Sequence, residues 1–198
     1  MLNSIDSIRN DLFRNTKLPL YKYRNENDYL PVIGYGNQKA SIVFIGEAPG
    51  KNEAKTGKPF CGRAGQILDE LLGSVGIKRE DVYITNIVKD RPPENRDPSP
   101  EEIKMYGPYL DRELEIIKPK VIATLGRYSM DYIMRKFGLE DKLEIISSAH
   151  GKLFKANPAW GKVNIIPLYH PAASIYNQKL KETLKSDFEI LKKFAKTR

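Results

Sequence analysis

The chain has 198 residues, of which 40% are hydrophobic, enough for a substantial core and most simply read as one domain over residues 1–198. Its formal net charge of +8 and pI near 9.4 favour a polyanionic partner without singling out nucleic acid. The one cysteine, Cys61, excludes an internal disulfide or a cysteine-held metal cluster, and neither a membrane-length apolar run nor a signal-type N-terminus is seen, so a soluble intracellular protein is expected.

Asn3 is read as the cap of a first helix carrying Ile5, Ile8 and Leu12 on one face, with Asp6 in its first turn. Lys17 to Lys39 reads as an irregular, tyrosine-rich lead-in. Ser41 to Ile45 is short, apolar and β-branched, and Pro49 and Gly50 stop it abruptly, which presents Glu47 at the carboxyl end of a buried strand. Ala64, Ile67, Leu68, Leu71, Leu72 and Val75 mark an amphipathic helix, and Gly76 suits its exit. Val82 to Thr85 is a second strand ending at Asn86. The stretch from Arg91 to Pro98 is too proline-rich for regular structure.

Ser99-Pro100-Glu101-Glu102 reads as a helix start, with a serine cap, proline first and glutamate third. Ile103, Leu110, Leu114 and Ile117 carry that helix on until Pro119. Val121 to Leu125 is a third strand; Gly126 leads into a helix with Tyr132, Ile133 and Phe137, closed by Gly138. Val163 to Leu168 is a fourth strand delivering His170, and a last helix carries Leu180, Leu184, Phe188, Leu191 and Phe194 among lysines. No internal repeat, low-complexity tract or Gly/Ser linker interrupts this order. Alternating strands and helices predict an α/β fold, a parallel sheet covered on both faces. Glu47 and His170 then stand at the carboxyl ends of two strands, where such folds place their chemistry.

Four strings carry a more specific signal, in order: Gly46-Glu47-Ala48-Pro49-Gly50; Gly57 to Gly65; Tyr83 to Lys89 with Arg91-Pro92-Pro93; and His170-Pro171-Ala172-Ala173. Together they resemble the family 4 uracil-DNA glycosylases, over a span from about Pro19 to the last helix. The resemblance implies a three-layer α/β/α sandwich around a four-stranded parallel central sheet. It implies excision of uracil from DNA by hydrolysis of the glycosidic bond, with uracil-containing DNA as partner and a monomeric state. Replication or repair proteins are the protein partners to look for. Family 4 enzymes usually hold a four-iron, four-sulfur cluster on four cysteines. The aligned positions here are Asn15, Leu18, Asp90 and Tyr106, none able to act as a thiolate ligand, so no metal and no cofactor are expected. Tyr106 is expected to fill the vacated space and Asp90 to pair with a lysine or arginine. The acidic pair usual after the first motif is incomplete: Glu53 is retained and Ala54 stands in for the second acid.

Carried over residue by residue, the resemblance makes His170 the donor that stabilises negative charge on departing uracil, against the plainer reading of a structural histidine. Glu47 is the acid that positions water or stabilises the positive sugar, although related enzymes carry the acid at the position of Ala48, and a loop-stabilising carboxylate is the alternative. Asn86 reads uracil through N3–H and O4, with a turn-forming asparagine as its bland counterpart. Phe60 stacks on the flipped base or is plain core, and Glu53 crowds uracil C5 or is a solvated surface acid. Lys89, Arg91, Arg96, Ser174, Ile175 and Tyr176 face DNA, Ile175 as a wedge in the vacated stack and Tyr176 in place of a phosphate-binding cation. Cys61 is read as a small packed hydrophobe. A catalytically weak uracil- or DNA-binding accessory protein is the alternative function. A nucleotide-binding protein is disfavoured, because neither Gly-x-Gly-x-x-Gly nor a Walker motif is present.

Overall fold

The computed structural model describes residues 4–195. Helix α1 (Ile5–Arg14) starts at Ser4, whose hydroxyl accepts the Ser7 N–H while the Ser7 hydroxyl accepts the Ser4 N–H. This reciprocal cap fills the role expected of Asn3, which lies outside the described residues. The supposedly irregular lead-in contains a short helix, α2 (Tyr21–Glu26), and a two-residue strand, β1 (Tyr35–Gly36). Strand β2 (Ile42–Gly46) is buried throughout and is followed by α3 (Lys51–Thr56) and α4 (Arg63–Ser74). No side chain caps α4, an omission worth about 1 kcal/mol. The burial of Ile67, Leu68, Leu71 and Leu72 outweighs it, at roughly 1.5–3 kcal/mol each. Gly76 exits that helix with φ +70°, as its position suggested.

Strand β3 (Tyr83–Asn86) leads through the proline-rich loop to α5 (Pro100–Ile117), which opens with the anticipated Ser99–Glu102 capping box. Next come β4 (Val121–Leu125), α6 (Arg127–Lys136), the single turn α7 (Ile146–Ala149), β5 (Phe154–Ala156) and β6 (Val163–Leu168). The expected last helix divides into α8 (Gln178–Phe188), a 3₁₀ turn and α9 (Lys192–Ala195).

The strands form one sheet in the order β1-β3-β2-β4-β6-β5. The inner four are mutually parallel, whereas β1 and β5 pair antiparallel at the edges. The expected four-stranded parallel sheet is therefore corrected to a mixed sheet of six. Side chains alternate between two apolar clusters: Val43, Ile45 and Ile122 pack toward α1, α5 and α6, while Phe44, Ala123 and Ile166 pack toward α4 and α8. After β2 the chain crosses to β3 on one side, then returns to β4 on the other. That reversal opens a crevice at the carboxyl ends of the inner strands.

Candidate active site

Into this crevice the strand ends deliver Glu47 after β2, Asn86 at the end of β3 and His170 just beyond β6. With Ala48, Gly50, Glu53, Phe60, Ala64, Asn95 and Ala172 they line one cavity of about 370 Å³, within the usual range for small-ligand sites. Glu47, Ala48, Glu53, Phe60, Asn86 and His170, singled out from the sequence, are thus brought together.

Asn86 is 2% exposed, and its side-chain oxygen is buried without a partner among the described protein groups. Such orphaned acceptors are uncommon and costly. Gly46 beside it is obligatory: a Cβ there would meet Asn86 Oδ1 at 2.3 Å and the Phe60 ring at 2.7 Å. Phe60 is buried, its ring centroid 5.6 Å from that of His170. Its backbone is left-handed, φ +49°, an uncommon state for a bulky residue. Neighbouring bonds hold it there. Arg79 donates to the carbonyls of Pro59 and Phe60 at 2.9 Å each, and Glu53 Oε1 accepts the amides of Cys61 and Gly62 at 2.9 and 2.8 Å. Glu53 is therefore a latch on the loop carrying Phe60 as well as part of the wall. Cys61 is exposed, correcting its reading as a packed hydrophobe.

The Ala172 N–H donates to His170 Nδ1 at 3.1 Å. An accepting Nδ1 places the proton of the neutral imidazole on Nε2. Burial pushes the His170 pKa down to about 4, against a smaller upward pull from the Glu53 carboxylate, so the ring is neutral near pH 7. Glu47 is shifted the other way, up to about 7, by burial first and by nearby Asp97 second, with Arg127 opposing. The two groups thus have opposite acid–base characters.

The residues expected to face DNA divide. Lys89 is fully buried: its ammonium contacts Glu113 Oε2 and donates to Thr85 Oγ1 and the Asn86 carbonyl, each at 2.7 Å. It cannot meet a phosphate, and that expectation is corrected. Ser174 is likewise buried and donates to the Pro171 carbonyl at 2.8 Å. Arg91 is largely enclosed, donating to Asn95 Oδ1 at 2.8 Å and to the Tyr29 hydroxyl at 2.9 Å, so it anchors the proline-rich loop. Arg96 is partly exposed but pairs with Glu102 at 2.6 Å. Ile175 is half-buried, and Tyr176 is 90% exposed, its ring under the Arg63 guanidinium. Asn95 and Arg79 were not anticipated. Asn95 reaches the cavity rim because Glu94 and Asn95 both adopt positive φ, a state asparagine tolerates, so Asn after Pro-Pro-Glu was the available signal.

The four positions aligned with cluster cysteines do not fit a cluster. Asp90, fully buried, takes two bonds from Arg24 at 3.1 and 3.2 Å and one from the Tyr106 hydroxyl at 2.5 Å. Leu18 is buried, and Asn15 donates to the Tyr109 hydroxyl at 2.9 Å. Arg24 also bonds the Phe13 carbonyl and lies over the Tyr21 ring. This polar knot ties α2, the segment after β3 and α5 together. The expected arginine partner of Asp90 and space-filling Tyr106 are both present.

A family model described as the Uracil DNA glycosylase superfamily matches residues 33–192. The chain is 47% identical to a type-4 uracil-DNA glycosylase of Archaeoglobus fulgidus, over 95% of this chain and 92% of that one. It is 44% identical to the type-4 enzyme of Saccharolobus solfataricus, over 96% and 86% of the two chains. With that of Thermotoga maritima it shares 43% identity over 83% of each. Four motifs in order, a cavity built from them at the sheet's carboxyl edge and these relatives agree: the chain belongs to the uracil-DNA glycosylase superfamily, in its type-4 family.

Proposed function

We propose that the protein takes uracil out of the DNA stack and hydrolyses its bond to deoxyribose, leaving an abasic site and free uracil. The observation that carries this reading is the orphaned, buried Asn86 Oδ1 in a cavity lined by an aromatic ring and a neutral histidine. Uracil supplies what it lacks: its N3–H donates to Oδ1, and its O4 accepts from the amide Nδ2. Cytosine reverses both, at roughly 1–3 kcal/mol for each buried group left unpaired. Phe60 offers a face to the base, and Glu53 and Gly50 bound the wall.

When the bond breaks, its electron pair passes to uracil N1 and spreads onto O2 and O4. His170, donating from Nε2, stabilises that charge without becoming protonated. Water attacks the sugar C1′, and the proton it loses is taken up in the end by the uracil anion, giving neutral uracil, while Glu47 as carboxylate orients the water and balances positive charge on the sugar. Asn95 also lines the cavity, its Oδ1 held by the Arg91 guanidinium. Ile175 enters the space the base has left, and Tyr176 with Arg63 and Arg96 meets the backbone. The bonded knot of Arg24, Asp90 and Tyr106 takes over the structural task of a cluster, and no step uses a metal.

The test is single-turnover excision from uracil-containing oligonucleotides by wild type and His170→Ala. Removing one preorganised donor is expected to slow excision by about 100-fold or more, with binding retained. Wild-type turnover in that variant would refute the assignment.

A further inference from the structure

The fully buried Lys89–Glu113 pair serves no purpose in the function above, yet it lies directly behind the base-reading residue. Buried ion pairs contribute little to stability compared with well-packed apolar groups, because both charges lose their water. Here every donor and acceptor is committed. The three ammonium protons of Lys89 meet Thr85 Oγ1, the Asn86 carbonyl and Glu113 Oε2, groups from β3, its end and α5. Glu113 accepts in addition from Thr85 Oγ1 at 2.8 Å, the Gly34 N–H at 2.8 Å and the Tyr83 hydroxyl at 3.2 Å. The turn from Asn86 to Lys89 also bonds the first motif: the Ile87 N–H donates to the Gly46 carbonyl at 3.1 Å and the Val88 N–H to the Glu47 carbonyl at 3.0 Å. A tetrahedral ammonium folded inside that turn fixes the strand end carrying Asn86 and, through two backbone bonds, the loop carrying Glu47.

We propose that Lys89 and Glu113 are positioning residues: together they set the orientation of Asn86 for reading uracil and the height of Glu47 over the sugar. The inference rests on the reading of Asn86 as the base-discriminating residue. The lysine touches neither base nor DNA and acts through the main chain of Asn86. Its placement accounts for a charged pair where an apolar one would pack, since no hydrocarbon side chain ties two polar groups of β3 to a third on α5.

The test is the double variant Lys89→Met/Glu113→Gln in the full chain. The amide oxygen introduced at position 113 still accepts from Gly34 and Tyr83, and the amide nitrogen donates to Thr85. Both charges and the tether on the Asn86 carbonyl are lost. Wild type and variant are compared for melting temperature, affinity for uracil-containing DNA, single-turnover uracil excision and preference for uracil over cytosine. The expected result is a folded variant with unchanged DNA affinity, at least tenfold slower excision and a reduced uracil preference. A merely structural pair would lower the melting temperature and leave the rate per folded molecule and the base preference untouched; that outcome overturns the proposal. If the variant does not fold, wild-type protein titrated with free uracil decides. The ¹⁵N signals of the Asn86 side chain and the Lys89 ammonium are expected to shift together, and a Lys89 signal indifferent to uracil while Asn86 responds overturns it. Absence of uracil excision by the wild type would instead refute the proposed function.

Discussion

Replacing Glu47 with glutamine tests the catalytic reading most directly, because its carboxyl changes charge in an accessible pH range. Burial and the charge of Asp97 raise its pKa from 4.5 to about 7, whereas His170 at about 4 is essentially neutral from about pH 5.5 upward. If the carboxylate is the working form, single-turnover excision should rise roughly tenfold per pH unit below 7 and level off above it, about 30-fold in all between pH 5.5 and 8. Glu47→Gln should lower the plateau and flatten the profile. Stability should move in the opposite sense. A carboxyl with a raised folded pKa binds its proton more tightly when folded, so stability declines as pH rises from 4.5 to 7, and the cost persists above 7. At full weight that cost is roughly 3 kcal/mol. Solvent reaches this half-buried group and screens it, so the glutamine variant should gain about 1–2 kcal/mol at pH 8 and nothing near pH 4. Rapid-quench excision and denaturant unfolding, each across pH, are the assays. A wild-type profile flat from about pH 5.5 to 8, or one whose inflection survives in the glutamine variant, would refute the assignment.

Asn86→Asp should weaken uracil excision by about 1–3 kcal/mol, or roughly 5- to 150-fold, and shift preference toward cytosine, because the carboxylate keeps an acceptor and loses the donor to O4. Paired uracil and cytosine substrates measure this, and an unchanged ratio would remove Asn86 from base reading. Arg24→Met should destabilise by about 3–5 kcal/mol, since Asp90 would remain buried without its cation. The denaturation midpoint reports the change, and a loss below about 1 kcal/mol would mean that the knot does not hold α2 in place. Iron and sulfide analysis of purified protein should find neither in stoichiometric amount; matching iron and sulfide with broad visible absorbance would contradict the poor fit of Asp90 and Tyr106 to a cluster.

The inner strands were legible because each is a short, largely apolar run rich in β-branched residues, with a glycine or asparagine at or just past the end of β2, β3 and β4. The start of α5 was legible because Ser99, Pro100 and Glu102 each answer a separate backbone need. The edge strands were not: two or three residues carry no period, and β1 and β5 exist only because a neighbouring strand offers bonds. The cavity residues were readable from motif strings, but their partners were not. Lys89 in a basic chain reads as a surface cation, and nothing nearby announces Glu113 on a helix far along the chain. Arg91 was misjudged for the same reason, since Tyr29 meets it only in the folded molecule, and the pairing of the exposed Arg96 with Glu102 was equally hidden.

The left-handed backbone at Phe60 bears on how the protein meets a damaged strand among many intact ones. A bulky residue stays in that conformation only while Arg79 and Glu53 hold the loop on either side. The ring is therefore held in place by the protein alone, and on the proposed reading capture of a nucleotide does not have to order it. A preformed platform preserves affinity by avoiding that entropic cost. It also makes the cavity intolerant: a base of the wrong outline meets a wall unable to retreat without breaking several bonds.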